Sequence, residues 1–288
     1  MSIPRIASYP LPATLPEPRV AWRPEPGRAA LLIHDMQQYF VDFYDADAAP
    51  IPALVGHIQA LRAACDAAGV PVYYTAQPGE QALADRALLQ DWWGPGITAS
   101  PEAAPVIAQL APRDSDTVLA KWRYSAFKKS DLLERLQAQG RDQLIICGIY
   151  AHIGVMTTAL EAFMLDIQPF VIGDAVADFS EDEHAMALNW IAGRCGVVLA
   201  TNQVLAALAP SAALPASLAA LRSEVAALLE VPASDLLPDD NLLDYGLDSV
   251  RLMMLAERWK AAGAKVAFVA LGEQPTLTAW WALLAGAR

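Results

Sequence analysis

Ala-Leu-Leu-Ile-His-Asp, residues Ala30 to Asp35, is an almost uninterrupted apolar run that ends on a carboxylate. A strand that is apolar at successive positions is covered on both faces, which is the habit of parallel sheets. Five more runs occur downstream, with helical patterns between them: Pro71–Thr75, Thr117–Ala120, Gln143–Cys147, Phe170–Gly173 and Val197–Ala200. This alternation predicts an α/β domain, a parallel sheet between two helical layers in a three-layer α/β/α arrangement.

The residues just past these runs point to a site. Asp35, Gln77, Lys121 and the turn Gly148–Gly154 all fall at or just after strand C-terminal ends. Open α/β sheets bind their ligands along that edge. One polar residue after a strand is an ordinary loop residue, but four on one edge point to a pocket.

The 288 residues are long for one domain and comfortable for two, and the net charge of -12 argues against nucleic acid and anionic membrane as partners. Cys65, Cys147 and Cys195 have neither paired nor metal-ligand spacing, so no disulfide framework and no metal site is expected. No apolar run reaches the roughly 18 residues of a membrane span. The segment Met1 to Pro26 is proline-rich and lacks a basic start followed by an apolar stretch, so no signal peptide is expected. The expectation is a soluble, cytoplasmic protein.

Ala209 to Ser217, with small residues and two prolines, interrupts the helical pattern on both sides. The expected boundaries are therefore a domain over 1–208, a linker over 209–217 and a second domain over 218–288. The last part reads as helices near Leu218–Leu229, Ser249–Ala262 and Thr276–Ala285 with a short turn near Phe268, a small all-α helical bundle. Within it, Asn-Leu-Leu-Asp-Tyr-Gly-Leu-Asp-Ser-Val (Asn241–Val250) sets Ser249 behind a glycine turn and ahead of an apolar helix. A phosphodiester on that hydroxyl would lie near free backbone N–H groups and the positive end of the helix dipole. Asp-Ser alone commonly does no more than cap a helix. With its flanks, the stretch resembles the acyl, aryl and peptidyl carrier family, which implies 4'-phosphopantetheine on Ser249 and a phosphopantetheinyl transferase as partner. Asp235, Asp239, Asp240, Asp244 and Asp248 make the approach acidic, suited to basic partner surfaces, and Met253, Met254 and Phe268 offer apolar contacts.

The first domain also carries a resemblance. Leu31–Gln37 (Leu-Leu-Ile-His-Asp-Met-Gln), Val72–Pro78, Asp85–Leu89, Trp93–Gly96, Lys121–Phe127 and Gly148–Gly154 look like isochorismatase. With the carrier segment, the whole chain is similar to the bifunctional isochorismatase/aryl carrier proteins of catecholate siderophore synthesis. The resemblance implies hydrolysis of isochorismate to 2,3-dihydro-2,3-dihydroxybenzoate and pyruvate, with Asp35, Lys121 and Gly154 as the catalytic set. Arg86 and Lys121 are expected to hold the substrate's carboxylates, with Gln77 and Tyr150 as further binding groups. Phe40, Trp93 and Tyr124 are expected to wall the site. His34 reads as a strand residue and His152 as a turn-stabilising hydrogen bonder.

The same superfamily contains cysteine amidohydrolases. Registering the helix that begins near Thr157 against theirs puts Gly154, or with a one-residue slip Val155, where their nucleophile stands. Neither is a thiol, so amide hydrolysis through a thioester is not expected. Vinyl ether hydrolysis needs only a well-placed acid. Asp35 would protonate the terminal methylene, provided that desolvation keeps it protonated beside the Lys121 cation.

The resemblance implies further partners: a 2,3-dihydroxybenzoate adenylating ligase that loads the carrier, a nonribosomal peptide synthetase condensation domain that receives the aryl thioester, and a second copy in a homodimer through the hydrolase domain. Two other readings remain at this level. One is a catalytically inactive dimerising scaffold for the carrier, and the other is a hydrolase of 2-amino-2-deoxyisochorismate.

Overall fold

The structure is a computed structural model in which residues 3–209 and 214–286 are described. Residues 210–213 of the expected linker lie outside the described residues. The chain divides into two compact units, Met1–Ala209 and Pro210–Arg288.

The first unit is built on six strands: β1 (Ala29–His34), β2 (Val72–Ala76), β3 (Thr117–Ala120), β4 (Gln143–Ile149), β5 (Gln168–Ala177) and β6 (Val197–Leu199). All pair in parallel, in the order β3-β2-β1-β4-β5-β6. Its helices are α1 (Gln38–Val41), α2 (Ile51–Ala68), α3 (Leu83–Arg86), α4 (Leu88–Trp93), α5 (Leu132–Ala138), α6 (Met156–Met164), α7 (Glu181–Arg194) and α8 (Thr201–Leu208).

The period-two geometry of β1 divides the core. Leu31 and Ile33 join Leu54, Ile58 and Leu61 of α2 and Val204 and Leu208 of α8. Ala30 and Leu32 join Leu132 of α5, Ala159 of α6 and Leu188 of α7 on the other face. Both faces are dry, which is why the strands read as continuous apolar runs. The chain winds outward from β1 to β3 and then returns to lay β4 on the other side of β1. That reversal opens a crevice beyond the C-terminal ends of β1 and β4, the usual place for a ligand in a doubly wound sheet. β5 runs to ten residues, well past the four expected, because the chain stays buried on the sheet as far as Asp178.

The second unit contains α9 (Leu218–Leu229), α10 (Ser249–Ala261), α11 (Phe268–Glu273) and α12 (Leu277–Gly286). Its core gathers Leu221, Val225, Leu255, Trp259, Leu271, Trp280 and Leu284. Trp259 and Trp280 meet edge to face with ring centroids 5.6 Å apart, and both indole N–H groups are satisfied, by Glu224 Oε1 and the Leu271 carbonyl. The expected turn near Phe268 is instead a short helix, since Leu271 must reach this core.

Candidate active site and carrier serine

Asp35 is the first residue past β1 and sits at φ 48°. This left-handed backbone is uncommon for a residue with a side chain and costs on the order of 1 kcal/mol. It turns the chain away from the sheet while the carboxylate stays buried. Three bonds from two neighbours hold it. The Thr75 hydroxyl of β2 donates to Oδ1 at 2.5 Å and accepts from the Asp35 N–H at 3.0 Å. Lys121, just past β3, donates from Nζ to Oδ2 at 2.9 Å. Burial pushes the Asp35 carboxyl up, but the Lys121 ammonium and the Thr75 hydroxyl outweigh it and hold the group below its ordinary range. Asp35 is therefore ionised in the free protein, and desolvation alone does not keep it protonated.

The fourth element is the turn after β4. Ala151–Val155 form one π-helical turn leading into α6, a wide turn that recurs at functional sites. The buried Asp178 carboxylate clamps it, accepting from the His152 N–H at 2.6 Å and pairing with the His152 ring at 2.5 Å. Burial pushes the His152 ring down and the Asp178 hydrogen bond and charge push it up, with a net rise. His152 is thus the turn-stabilising residue expected from sequence.

Gly154 lies so close to the His34 ring that a Cβ there would overlap Cε1. No side chain, and so no nucleophile, fits at this position while His34 stays in place. The His34 Nδ1–H donates to the Ile149 carbonyl at 2.8 Å, and burial drives the ring down to about 4, so it is neutral at pH 7. His34 is more than a strand residue, because it also lines the pocket.

Asp35, Lys121, Gly154, Gln77, Arg86, Tyr150, Phe40, Trp93 and Tyr124 all line one pocket. Arg86, at the end of the short α3, is 3% exposed. Its Nε donates to the Gly94 carbonyl at 2.6 Å, and its Nη1 has no hydrogen-bond partner among the described residues. Gly96, at φ 56°, leaves the room the guanidinium occupies, since a Cβ there would overlap Nη2. Burial lowers the Arg86 value, yet a guanidinium keeps its charge. A buried, charged donor facing a pocket suits a carboxylate ligand.

The Tyr150 hydroxyl is already engaged, donating to the Phe40 carbonyl at 2.8 Å. Its ring packs against Phe179 at 4.6 Å, and Trp93 donates from Nε1 to the Tyr124 hydroxyl at 2.8 Å. The aromatic wall is therefore cross-braced. Sequence reasoning missed Phe179, which lines the pocket, and Gln37, which is fully buried. Gln37 accepts from the Gln77 N–H at 2.7 Å and donates to the Gln77 and Ala104 carbonyls at 2.8 and 2.6 Å, fixing the loop after β2. The signal for Gln37 was a polar residue inside an apolar motif; Phe179 had none. The pocket lining contains no cysteine among the described residues; Cys65, Cys147 and Cys195 are buried, and burial raises all three thiols.

In the second unit, Ser249 is exposed as the first residue of α10. Asp248 caps the helix, its carboxylate accepting from the Arg251 N–H at 2.8 Å, and Gly246 makes the preceding turn at φ 87°. Leu247 is buried and anchors the turn, so the serine is held outward on a fixed support. This fits a phosphodiester at a helix N-terminus, with its chain free to extend into solvent. Met253 and Met254 are exposed on the same helix, and Phe268 is half-buried. No helix among the described residues is long and apolar enough to cross a membrane.

Both units have counterparts among known proteins. Residues 29–203 match the isochorismatase domain and residues 219–284 the phosphopantetheine attachment site. The chain is 52% identical over 286 residues to enterobactin synthase component B of Escherichia coli, covering 99% of this chain and 98% of the relative. It is 49% identical over 298 residues to an isochorismatase of Bacillus subtilis, covering 99% and 96%. A phenazine biosynthesis protein of Pseudomonas aeruginosa matches at 49% identity over 210 residues, 70% of this chain and 98% of that protein. Among solved structures, a cysteine hydrolase from Pseudomonas syringae pv. phaseolicola aligns with a TM-score of 0.59 at 26% identity, over 67% of this chain and 97% of that one. The chain belongs to the isochorismatase family, with a phosphopantetheine attachment domain as its C-terminal part.

Proposed function

We propose that the first unit hydrolyses the enol ether of isochorismate to 2,3-dihydro-2,3-dihydroxybenzoate and pyruvate, with Asp35 as the acid. The observation that supports this best is the set of groups in one pocket: a buried carboxylate paired with Lys121, an unpaired guanidinium nitrogen on Arg86, and no thiol among the described lining residues. A dicarboxylate entering this pocket engages Arg86 and Lys121 and adds negative charge beside Asp35. That charge raises the proton affinity of Asp35, so substrate binding draws a proton onto it. Asp35 then protonates the terminal methylene, which becomes a methyl group, and the electron pair of the ether oxygen stabilises the adjacent cation. Water adds to that carbon and gives up a proton to the Asp35 carboxylate. Asp35 hands that proton to the departing ether oxygen as the C–O bond breaks, and the hemiketal hydroxyl gives up its own proton to the Asp35 carboxylate, leaving pyruvate and an alcohol. Phe40, Trp93, Tyr124 and Phe179 keep bulk water from the cation, and Gln77 and the Tyr150 backbone orient the substrate.

Ser249 is the hydroxyl that a phosphopantetheinyl transferase modifies. When bound, 4'-phosphopantetheine supplies a thiol that carries the aryl acid as a thioester. A 2,3-dihydroxybenzoate adenylating ligase loads it, and a nonribosomal peptide synthetase condensation domain accepts it, as siderophore assembly requires. In this reading, residues 1–208 and 218–288 are separate domains, and a cytoplasmic homodimer forms through the first.

The test is pyruvate release from isochorismate, measured through lactate dehydrogenase, beside Asp35→Ala. Fast release that the variant loses supports the reading. Folded wild-type protein that releases none would make the first unit a scaffold, and preference for 2-amino-2-deoxyisochorismate would change the substrate.

A further inference from the structure

We propose that the segment ahead of the sheet is a strap that completes the active-site wall, and that Ile3 is a substrate-contacting residue of that wall. The inference rests on the hydrolase reading of the pocket and adds a binding residue far from every motif.

Residues 3–28 form no helix or strand apart from a terminal turn, yet the first part of this segment is fastened at several points. The Ile6 N–H donates to the Phe43 carbonyl at 2.8 Å, and Arg5 Nη1 donates to the Asp42 carbonyl at 3.0 Å. The Ser8 hydroxyl donates to the Ala49 carbonyl at 2.6 Å, which also accepts from the Tyr9 N–H at 3.3 Å. Ile6 and Tyr9 are buried in the core that contains Phe40 and Tyr150. The Tyr9 hydroxyl accepts from the Asp178 N–H at 2.6 Å. Asp178 is the residue whose carboxylate clamps the turn at His152, so the strap and the catalytic turn share one anchor.

Ordering an irregular segment opposes folding by about 1 to 2 kcal/mol per residue, so such fastening needs a compensating contact. Burial of Ile6 and Tyr9 supplies part of it. Ile3 lies beyond these anchors, partly buried against the same core, and lines the pocket with Asp35, Arg86 and Phe40. An apolar side chain there excludes water from a site whose acid and cations depend on a low local dielectric. The same position also meets whatever fills the pocket.

The experiment compares the full chain with Ile3→Ala and Ile3→Asp. We expect KM for isochorismate to rise about tenfold in Ile3→Ala from the lost apolar contact. In Ile3→Asp it should rise about a hundredfold, because a carboxylate would face a dianion. Melting temperatures should stay within a few degrees of wild type, since Ile3 is only partly buried and lies outside the anchors. A second arm does not depend on turnover. In Asp35→Asn, isochorismate should slow tryptic cleavage after the exposed Arg5, because a ligand touching Ile3 holds the strap down. Wild-type KM in Ile3→Asp, or cleavage after Arg5 that ignores isochorismate, overturns the strap. Wild-type protein that releases no pyruvate sinks the hydrolase reading instead, and the tryptic arm then decides the strap alone.

Discussion

Replacing Lys121 with methionine keeps the length and packing of the stem but removes the charge that holds Asp35. Both side chains are almost wholly buried, and their atoms meet at 2.9 Å. Breaking a buried pair by removing one partner costs about 3 to 5 kcal/mol, since the remaining charge is left without water or counter-ion. For a unit of this size, that lowers the melting temperature by about 6 to 20 °C. The pH dependence identifies the cause. In the wild type the Asp35 value is depressed, so its contribution to stability is present above the unfolded carboxyl value and is lost as pH falls through the folded one. Without Lys121, burial is the dominant influence and raises the folded value. Asp35 then destabilises the fold increasingly as pH rises above about 4. The deficit of Lys121→Met should therefore vanish only below the depressed folded value, be present near pH 4 and grow larger toward pH 7, in thermal melts that monitor the first unit. The double variant Asp35→Asn/Lys121→Met should recover most of the loss, because no lone charge remains. A deficit that stays constant from pH 4 to 8, or no deficit at all, would refute the argument that this pair is held by charge.

Arg86→Ala removes a charged donor, a contact worth about 1.5 to 3 kcal/mol, so kcat/KM for pyruvate release should fall about 10- to 150-fold with little change in stability. Gly154→Ala should abolish hydrolysis and lower stability by about 1 to 3 kcal/mol through overpacking against His34, as read from denaturant melts. Asp244→Lys should slow loading by the adenylating ligase while pyruvate release is unchanged, and equal loading rates would count against the steering role of the acidic approach. Ser249→Ala should block mass-detected addition of phosphopantetheine and leave hydrolysis intact.

The six apolar runs, the polar residues at their ends and the Asp-Ser turn were legible because each is a local pattern. Strand burial on both faces needs apolar side chains at successive positions, and a carrier serine needs its glycine turn and apolar helix close together in the chain. Strand order was less legible, as no local pattern records that β4 returns beside β1. The same limit hid Gln37 and Phe179, which act through contacts with chain segments about 30 residues away or more. Ile3, from a proline-rich stretch that carries no motif, is the extreme case.

The sequence by itself determined the two-part organisation, the parallel-sheet class, the pocket edge and the phosphopantetheine attachment domain, since residue type and short spacing carry that information. Only the tertiary structure decided that Asp35 is ionised, that His34 fills the space at Gly154, that Arg86 keeps a free donor and that the Tyr150 hydroxyl is already engaged. Those properties depend on what is packed within a few ångströms in space, and burial and charge at that range are set by the whole fold.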